Sequence, residues 1–278
     1  MIIKEAIILA GGLGTRLRSA VPDLPKCMAP VNGKPFITYI IEYLHAQGVT
    51  KLIFALGYKH EFFKPVISSL PSSMHAVISA EEEPLGTGGA IRLACSRASE
   101  ENVLILNGDT MFRINANELS SFHYKKNAHC SLCLKPMQNF DRYGVVELDK
   151  NDSVISFKEK QFYESGLING GVYALHVNNF LDEDLPQKFS FEKDYLEKYI
   201  LYRKIFGLPQ DEYFIDIGIP EDYERASSTS AISASSRASS SNHVLAPWAR
   251  APTTCWSTAS RRACSCASPP TSWRCRRR

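Results

Sequence analysis

Residues 9–18, Leu-Ala-Gly-Gly-Leu-Gly-Thr-Arg-Leu-Arg, set three glycines ahead of two arginines. They follow an apolar run, Ala6-Ile7-Ile8-Leu9-Ala10, so the turn stands at the end of a buried strand. Bare backbone N–H groups at Gly11, Gly12 and Gly14 suit close contact with phosphate oxygens. Arg16 can fork across such oxygens, and Lys26, held after Pro25, adds a point charge. Two familiar phosphate loops fit poorly. A GxxxxGK[ST] loop needs a Lys-Ser or Lys-Thr that is absent here, and GxGxxG needs a third glycine and an immediate helix. What fits is a loop that wraps a triphosphate, backed by mobile cations. The alternative is a glycine-rich turn with two solvated arginines.

Two carboxylates extend the phosphate reading. Asn107-Gly108-Asp109 follows Val103-Leu104-Ile105-Leu106, which puts Asp109 at the carboxyl end of a parallel strand, where open α/β sheets bind ligands. Asp216 ends another short apolar run, Tyr213-Phe214-Ile215. Together they can hold Mg²⁺ among phosphate oxygens; either alone reads equally as a turn or cap residue. Leu85-Gly86-Thr87-Gly88-Gly89-Ala90 is a second glycine-rich loop, opening a helix, where a flat base can pack on bare backbone.

The elements that must carry these groups alternate. Strands are expected at 4–10, 51–56, 75–80 and 102–107, with helices at 35–47, 59–69 and 87–98 between them. A long loop, 11–34, interrupts this order, and a loop of that length is usually functional. The alternation implies a mostly parallel sheet covered on both faces. After about residue 128 the rhythm changes to closely spaced strands at 129–135, 143–148, 153–158 and 168–175, which implies a mixed or antiparallel half. A helix at 191–203, short strands at 205–208 and 213–216, and a helix from Pro220 close the body.

The net charge of +3 over 278 residues hides two different materials. Residues 227–278 contain eight Arg and no Asp, Glu or Lys; residues 1–226 carry 24 basic and 29 acidic side chains, a net −5. The body therefore offers no basic face for nucleic acid. No apolar run nears the roughly 20 residues that span a bilayer, and the N-terminus does not resemble a secretory signal, so a cytoplasmic protein is expected. The segment 227–278, rich in Ser, Ala and Arg, lacks any apolar period and cannot build a core. It reads as a disordered basic tail or, preferably, as a GC-rich gene read in the wrong frame. Cys130 and Cys133 have CxxC spacing but fall on an expected strand, where positions three apart face opposite sides. Buried free thiols are expected there rather than a metal or redox pair.

Taken in order, GGxGTRL with Pro-Lys downstream, LGTGG, NGD, Glu159-Lys160, Asn169-Gly170-Gly171 and the late Asp216-Ile217-Gly218 resemble the sugar-1-phosphate nucleotidyltransferases. The resemblance covers residues 3 to about 226 and implies a three-layer α/β/α fold, Rossmann-like in its first half, with a mixed central sheet. It implies catalytic roles for Arg16, Lys26, Asp109 and Asp216, with the two Asp as magnesium ligands. It puts Leu9, Ala10, Gly11, Gly12, Gly14 and Thr15 around the nucleotide phosphates, and Glu83, Gly86, Thr87 and Gly88 around base and ribose. It assigns Gly144, Glu159, Lys160, Asn169 and Gly170 to a sugar-phosphate pocket. Gln161 stands where family members often have Pro, which alters the backbone beside Lys160. The stretches KCMAPVNGKPF, EEEPLGTGGAI, RYGVV, INGGVY and YFIDIGIPEDYERA further resemble the branch that uses GTP and a heptose 1-phosphate.

The implied reaction is attack by a sugar 1-phosphate oxygen on the α-phosphorus of a nucleoside triphosphate, with pyrophosphate leaving. A carboxylate such as Glu83 can accept from guanine N1–H and N2–H₂, whereas the acidic run Glu81-Glu82-Glu83 reads equally as a solvated face. Mannose or glucose 1-phosphate as substrate, and a non-catalytic sugar-nucleotide-binding module, are the competing expectations. Oligomeric state has no signal in the sequence.

Overall fold

The computed structural model describes residues 2–12, 17, 21, 24–57, 60–228 and 232. Strand β1 (Glu5–Leu9) is followed by a 3₁₀ turn at Lys26–Met28, a hairpin β2 (Pro30–Val31) and β3 (Lys34–Pro35), and helix α1 (Phe36–Ala46). Next come β4 (Lys51–Leu56), α2 (Lys64–Ser68), β5 (His75–Ala80), α3 (Gly86–Cys95), β6 (Asn102–Asn107), β7 (Thr110–Phe112) and α4 (Ala116–Lys126). The second half contains β8 (Cys130–Phe140), β9 (Val146–Leu148), β10 (Val154–Phe157), β11 (Tyr163–His176), α5 (Val177–Leu181), a π-helical turn Phe191–Leu196 and α6 (Glu197–Tyr199). Strands β12 (Ile205–Pro209) and β13 (Phe214–Asp216) and helix α7 (Pro220–Ser228) complete it.

Seven strands form one mixed sheet in the order β12-β8-β11-β6-β1-β4-β5. Strand β1 pairs in parallel with β4 and β6, and β4 with β5; β11 runs antiparallel to both β6 and β8. Successive β1 residues point to opposite faces, as the pleat requires. Ala6 and Ile8 join the core under α1, α4 and α7, while Ile7 joins the core under α3 and α5. Helices thus cover both faces, giving the three-layer α/β/α architecture with a mixed sheet that the strand rhythm implied. Cys130 and Cys133 fall into these two separate cores, fully buried, and burial pushes both thiols well above their usual range.

Three expectations differ from the structure. Helix α4 has no counterpart in the sequence reading, because its inward face is partly polar. Ser120 and His123 are buried beside Ala116 and Leu119. The imidazole of His123 is satisfied by Ser131 Oγ at 2.9 Å and Asn102 Oδ1 at 3.0 Å, so hydrogen bonds replace apolar patterning. Asn115 caps the helix by accepting from the N–H groups of Asn117 and Glu118, both at 3.1 Å. The expected helix 191–203 is a π-helical turn that runs into only three α-helical residues. Finally, α7 continues to Ser228 and Ile232 is buried in the core, its carbonyl accepting from Arg113 Nη2 at 2.7 Å. The packed body therefore reaches past residue 226.

His123 makes stability depend on pH. Burial, reinforced by His176 and His129, lowers its pKa to about 4 from 6.5. The folded chain holds this ring neutral, while the unfolded chain protonates it. Its contribution is intact above pH 6.5 and is lost as pH falls toward 4. Urea midpoints measured at pH 7 and pH 4.5 are expected to differ by an amount that His123→Gln reduces; this group accounts for up to about 3 kcal/mol.

Candidate functional site

The site forms where β1 and β6 end. Gly108 N–H donates to Leu9 O at 2.8 Å, and a Cβ on Gly108 would stand 2.8 Å from the same oxygen. The two strand ends are thereby drawn together, and Asp109 emerges beside Ala10 and Gly12. Gly11 packs its Cα against Gly57; a Cβ there would lie 2.9 Å from Gly57 N. Close backbone approach therefore accounts for this glycine. Asp216 arrives from elsewhere in the chain because β13 pairs antiparallel with β7, with Asp216 opposite Thr110. The Ile217 N–H donates to Asp109 O at 3.0 Å and fixes that register.

Lys26 reaches the two carboxylates from the 3₁₀ turn. Its neighbours Cys27 and Met28 are buried in the core, which leaves the lysine directed at the site. Lys26 Nζ forms an ion pair with Asp109 Oδ2 and lies 3.6 Å from Asp216 Oδ1. One cation thus faces two carboxylates. Burial and then the charge of Asp109 raise the Asp216 carboxyl above its usual range, against the pull of Lys26 and of the Gly218 N–H, which donates to Oδ1 at 2.8 Å. Within this trio two carboxylates share one ammonium.

Two cavities meet at Leu9, Gly12 and Asp109. The smaller, about 290 Å³, is lined by Lys26, Asp109, Asp216, Arg142, Tyr143 and Lys160, among others. The larger, about 870 Å³, lies over the LGTGG loop and takes in Gly11, Glu83, Gly86, Thr87, Asn107 and Glu192. Its volume and its bare glycine floor suit a nucleoside. Thr87 Oγ1 donates to Glu192 Oε2 at 2.9 Å and accepts from Phe191 N–H at 2.9 Å, so the π-helical turn is locked onto this loop.

The residues expected from the sequence divide among these places. Leu9, Ala10, Gly12, Lys26, Asp109, Asp216 and Lys160 line the smaller cavity; Gly11, Glu83, Gly86 and Thr87 line the larger. Gly14, Thr15 and Arg16 lie outside the described residues. Gly88 lines neither cavity and instead makes room for the Phe189 ring, which a Cβ would overlap at 2.1 Å. Gly144 packs on Lys158 O, where a Cβ would come to 2.2 Å; this brings the 158–160 segment against the Tyr143 turn. Glu159 contributes its carbonyl to the Tyr163 hydroxyl at 3.0 Å. Asn169 spends its amide within β11, donating to Tyr173 Oη at 2.8 Å and accepting from Gly171 N–H at 3.1 Å. Gly170 accommodates the Phe112 ring. Among the neighbouring glutamates, Glu81 is already engaged, accepting from Leu85 N–H at 2.9 Å.

Arg142, Tyr143, Asp222 and Glu192 are cavity residues that the sequence reading did not single out. Arg142 and Tyr143 lie inside the quoted RYGVV stretch, which was the available signal. Asp222 likewise lies inside YFIDIGIPEDYERA, whereas Glu192 had no such signal, since a charged residue in a helical first turn is ordinarily solvated.

A family profile described as nucleotidyl transferase matches residues 5–232. The chain belongs to the nucleotidyl transferase family. It is 49% identical over 222 residues to the D-glycero-alpha-D-manno-heptose 1-phosphate guanylyltransferase of Aneurinibacillus thermoaerophilus, covering 80% of this chain and 96% of that one. It is 48% identical to the enzyme of the same name from Campylobacter jejuni, covering 79% and 96%. The crystal structure of HddC from Yersinia pseudotuberculosis complexed with GMP-PN superposes with a TM-score of 0.73 at 37% identity, covering 82% of this chain and 98% of that one. Nucleotidyl transferases of this kind generally use a divalent metal. The donor set suits one: two carboxylates from strand ends offer hard oxygens, and no group of three or more His, Cys, Asp or Glu ligands occurs among the described residues. Substrate oxygens and water would complete the shell. No helix among the described residues is long and apolar enough to cross a membrane.

Proposed function

We propose that this chain transfers GMP from GTP to D-glycero-D-manno-heptose 1-phosphate, releasing pyrophosphate and forming the GDP-sugar. The observation that carries the reading is the convergence of Lys26, Asp109 and Asp216 where a nucleoside-sized cavity meets a smaller one that also holds Arg142 and Lys160. The near-full-length identity to two enzymes of that name supports the choice of base and sugar.

In this reading the nucleoside occupies the larger cavity, with Glu83 accepting from the guanine edge and Gly86 and Thr87 beneath base and ribose. The triphosphate runs over Gly11, Gly12, Gly14 and Thr15. The sugar phosphate enters the smaller cavity beside Lys160, with Glu159, Asn169 and Gly170 shaping its surroundings. One phosphate oxygen attacks the α-phosphorus. A new P–O bond forms as the bond to pyrophosphate breaks, and its electrons leave with pyrophosphate. The nucleophile is already an anion, so no general base is required; the chain must align two anions and offset their charge. Asp109 and Asp216 would hold Mg²⁺, which supplies charge neutralisation between nucleotide and incoming phosphate. Lys26 holds the two carboxylates in register, and Arg16 offsets charge on the departing pyrophosphate. The substrates are charged metabolites, and the reading assigns the enzyme to the cytoplasm.

Pyrophosphate release with Mg²⁺ tests this. The four common nucleoside triphosphates are crossed with heptose, mannose and glucose 1-phosphates. Release confined to GTP with heptose 1-phosphate is expected. Release with another pair would keep the chemistry and replace the substrate; none from folded protein would leave a binding module. A chain ending after Ile232 is expected to match the full chain, because every residue lining the two cavities lies before it.

A further inference from the structure

Arg142 is the one arginine among the described residues lining the smaller cavity, and its surroundings have a built character. It sits in the turn after β8, next to Tyr143, whose ring centroid lies 5.7 Å from the guanidinium carbon. Its Nη2 donates to Asp222 Oδ2 at 2.5 Å. Asp222 is buried in the first turn of α7, and its other oxygen forms an ion pair with Arg225 Nη2 at 2.9 Å. Two arginines thus share one buried carboxylate, so Arg142 is only partly neutralised. No other carboxylate forms an ion pair with Arg142 among the described residues, and its side chain, part of the cavity lining, is 43% exposed. The charge of Asp216 also acts on Arg142, after that of Asp222. Asp222 draws one edge of the guanidinium toward α7. The rest of the guanidinium is not taken up by Asp222, and the cavity that Arg142 lines also holds Lys160 and is not lined by the LGTGG loop.

We propose that Arg142 anchors the phosphate of the incoming sugar 1-phosphate and that Asp222 is its positioning residue. The inference rests on the transferase reading for the identity of the ligand. A planar fork held along one edge presents its remaining N–H groups in a fixed direction, which suits two oxygens of a phosphate better than a flexible ammonium does. Lys160 adds a point charge without that directionality. Arg142 thus binds the nucleophile and Asp222 aims it. Both act on the phosphate that enters, not on the nucleotide.

Steady-state kinetics of the full chain separate these roles. Arg142→Gln is expected to raise KM for heptose 1-phosphate roughly 10- to 100-fold, the loss of a charge-assisted hydrogen-bond pair, with KM for GTP unchanged. Arg142→Lys should recover only part of this. Asp222→Asn should raise the same KM by roughly 3- to 10-fold and leave KM for GTP alone, whereas a purely structural loss would lower stability and move both together. Calorimetry of inorganic phosphate with metal-free protein reads the anchor without turnover: binding to the wild type, weakened in Arg142→Gln, supports it. An unchanged KM for heptose 1-phosphate in folded Arg142→Gln, a rise in KM for GTP instead, or phosphate affinity equal in the two proteins would overturn it. A wild-type chain that binds phosphate through Arg142 yet releases no pyrophosphate would refute the transferase reading and leave the anchor standing.

Discussion

Asp216→Asn is expected to cut pyrophosphate release by roughly 10³-fold while making the ligand-free protein more stable at neutral pH. The loss of turnover follows from removing one of two carboxylates that would hold the metal. The gain in stability follows from charge counting. Asp216 is half-buried, faces Asp109 and shares a single lysine with it. Its raised pKa means that ionising it costs more in the folded chain than in the unfolded one; the cost is absent at low pH and grows as pH rises through the folded value. Asparagine retains the oxygen that accepts from Gly218 N–H and removes the repulsion. Thermal melts at pH 7 should show a higher midpoint for the variant, and added Mg²⁺ should narrow the gap by stabilising the wild type alone. A lower midpoint with normal turnover would show that Asp216 is a structural cap.

Lys26→Met is expected to lower turnover by roughly 10²- to 10³-fold and, in contrast, to destabilise the ligand-free protein. Methionine preserves the aliphatic stem above Cys27 but leaves Asp109 and Asp216 facing each other without a cation. The two variants thus impair the same chemistry with opposite effects on folding. Melting both proteins beside their activity assays checks the pair of signs at once. If Lys26→Met melted at the wild-type temperature, the ion pair with Asp109 would not be the one that balances the site.

The opposite signs show how the site is built. A marginally unstable arrangement of carboxylates is maintained by the rest of the fold so that cationic and anionic ligands complete it. The packing that tolerates this is the strand-end architecture: Gly108 against Leu9 O, Gly11 against Gly57, and the β7–β13 pairing.

Much of this was legible in the chain itself. The expected strands at 51–56, 75–80 and 102–107 become β4, β5 and β6 with those bounds; β4 and β6 are almost wholly buried and read as apolar runs, while β5 stands at the sheet edge, mostly exposed or half-buried. The order of glycine loop, lysine and two aspartates already pointed to phosphate chemistry. Helix α4 was not legible, since its inward face holds Ser120, which accepts from Ile3 N–H, and His123, which is hydrogen-bonded to Ser131 and Asn102. Nor was the packing at two glycines: besides the ligand contacts expected of them, Gly88 and Gly170 make room for Phe189 and Phe112.

By itself, then, the sequence determined the two-faced α/β sheet, the phosphate-binding character and the residue types available for it, because strand burial and backbone freedom are local properties. Only the tertiary structure decided which charges meet. Register between β7 and β13 sets Asp216 beside Asp109, a buried 3₁₀ turn aims Lys26 at both, and α7 brings Asp222 to Arg142. Those partners are distant in the chain, and Coulombic interactions depend on separation in space, which no local pattern encodes.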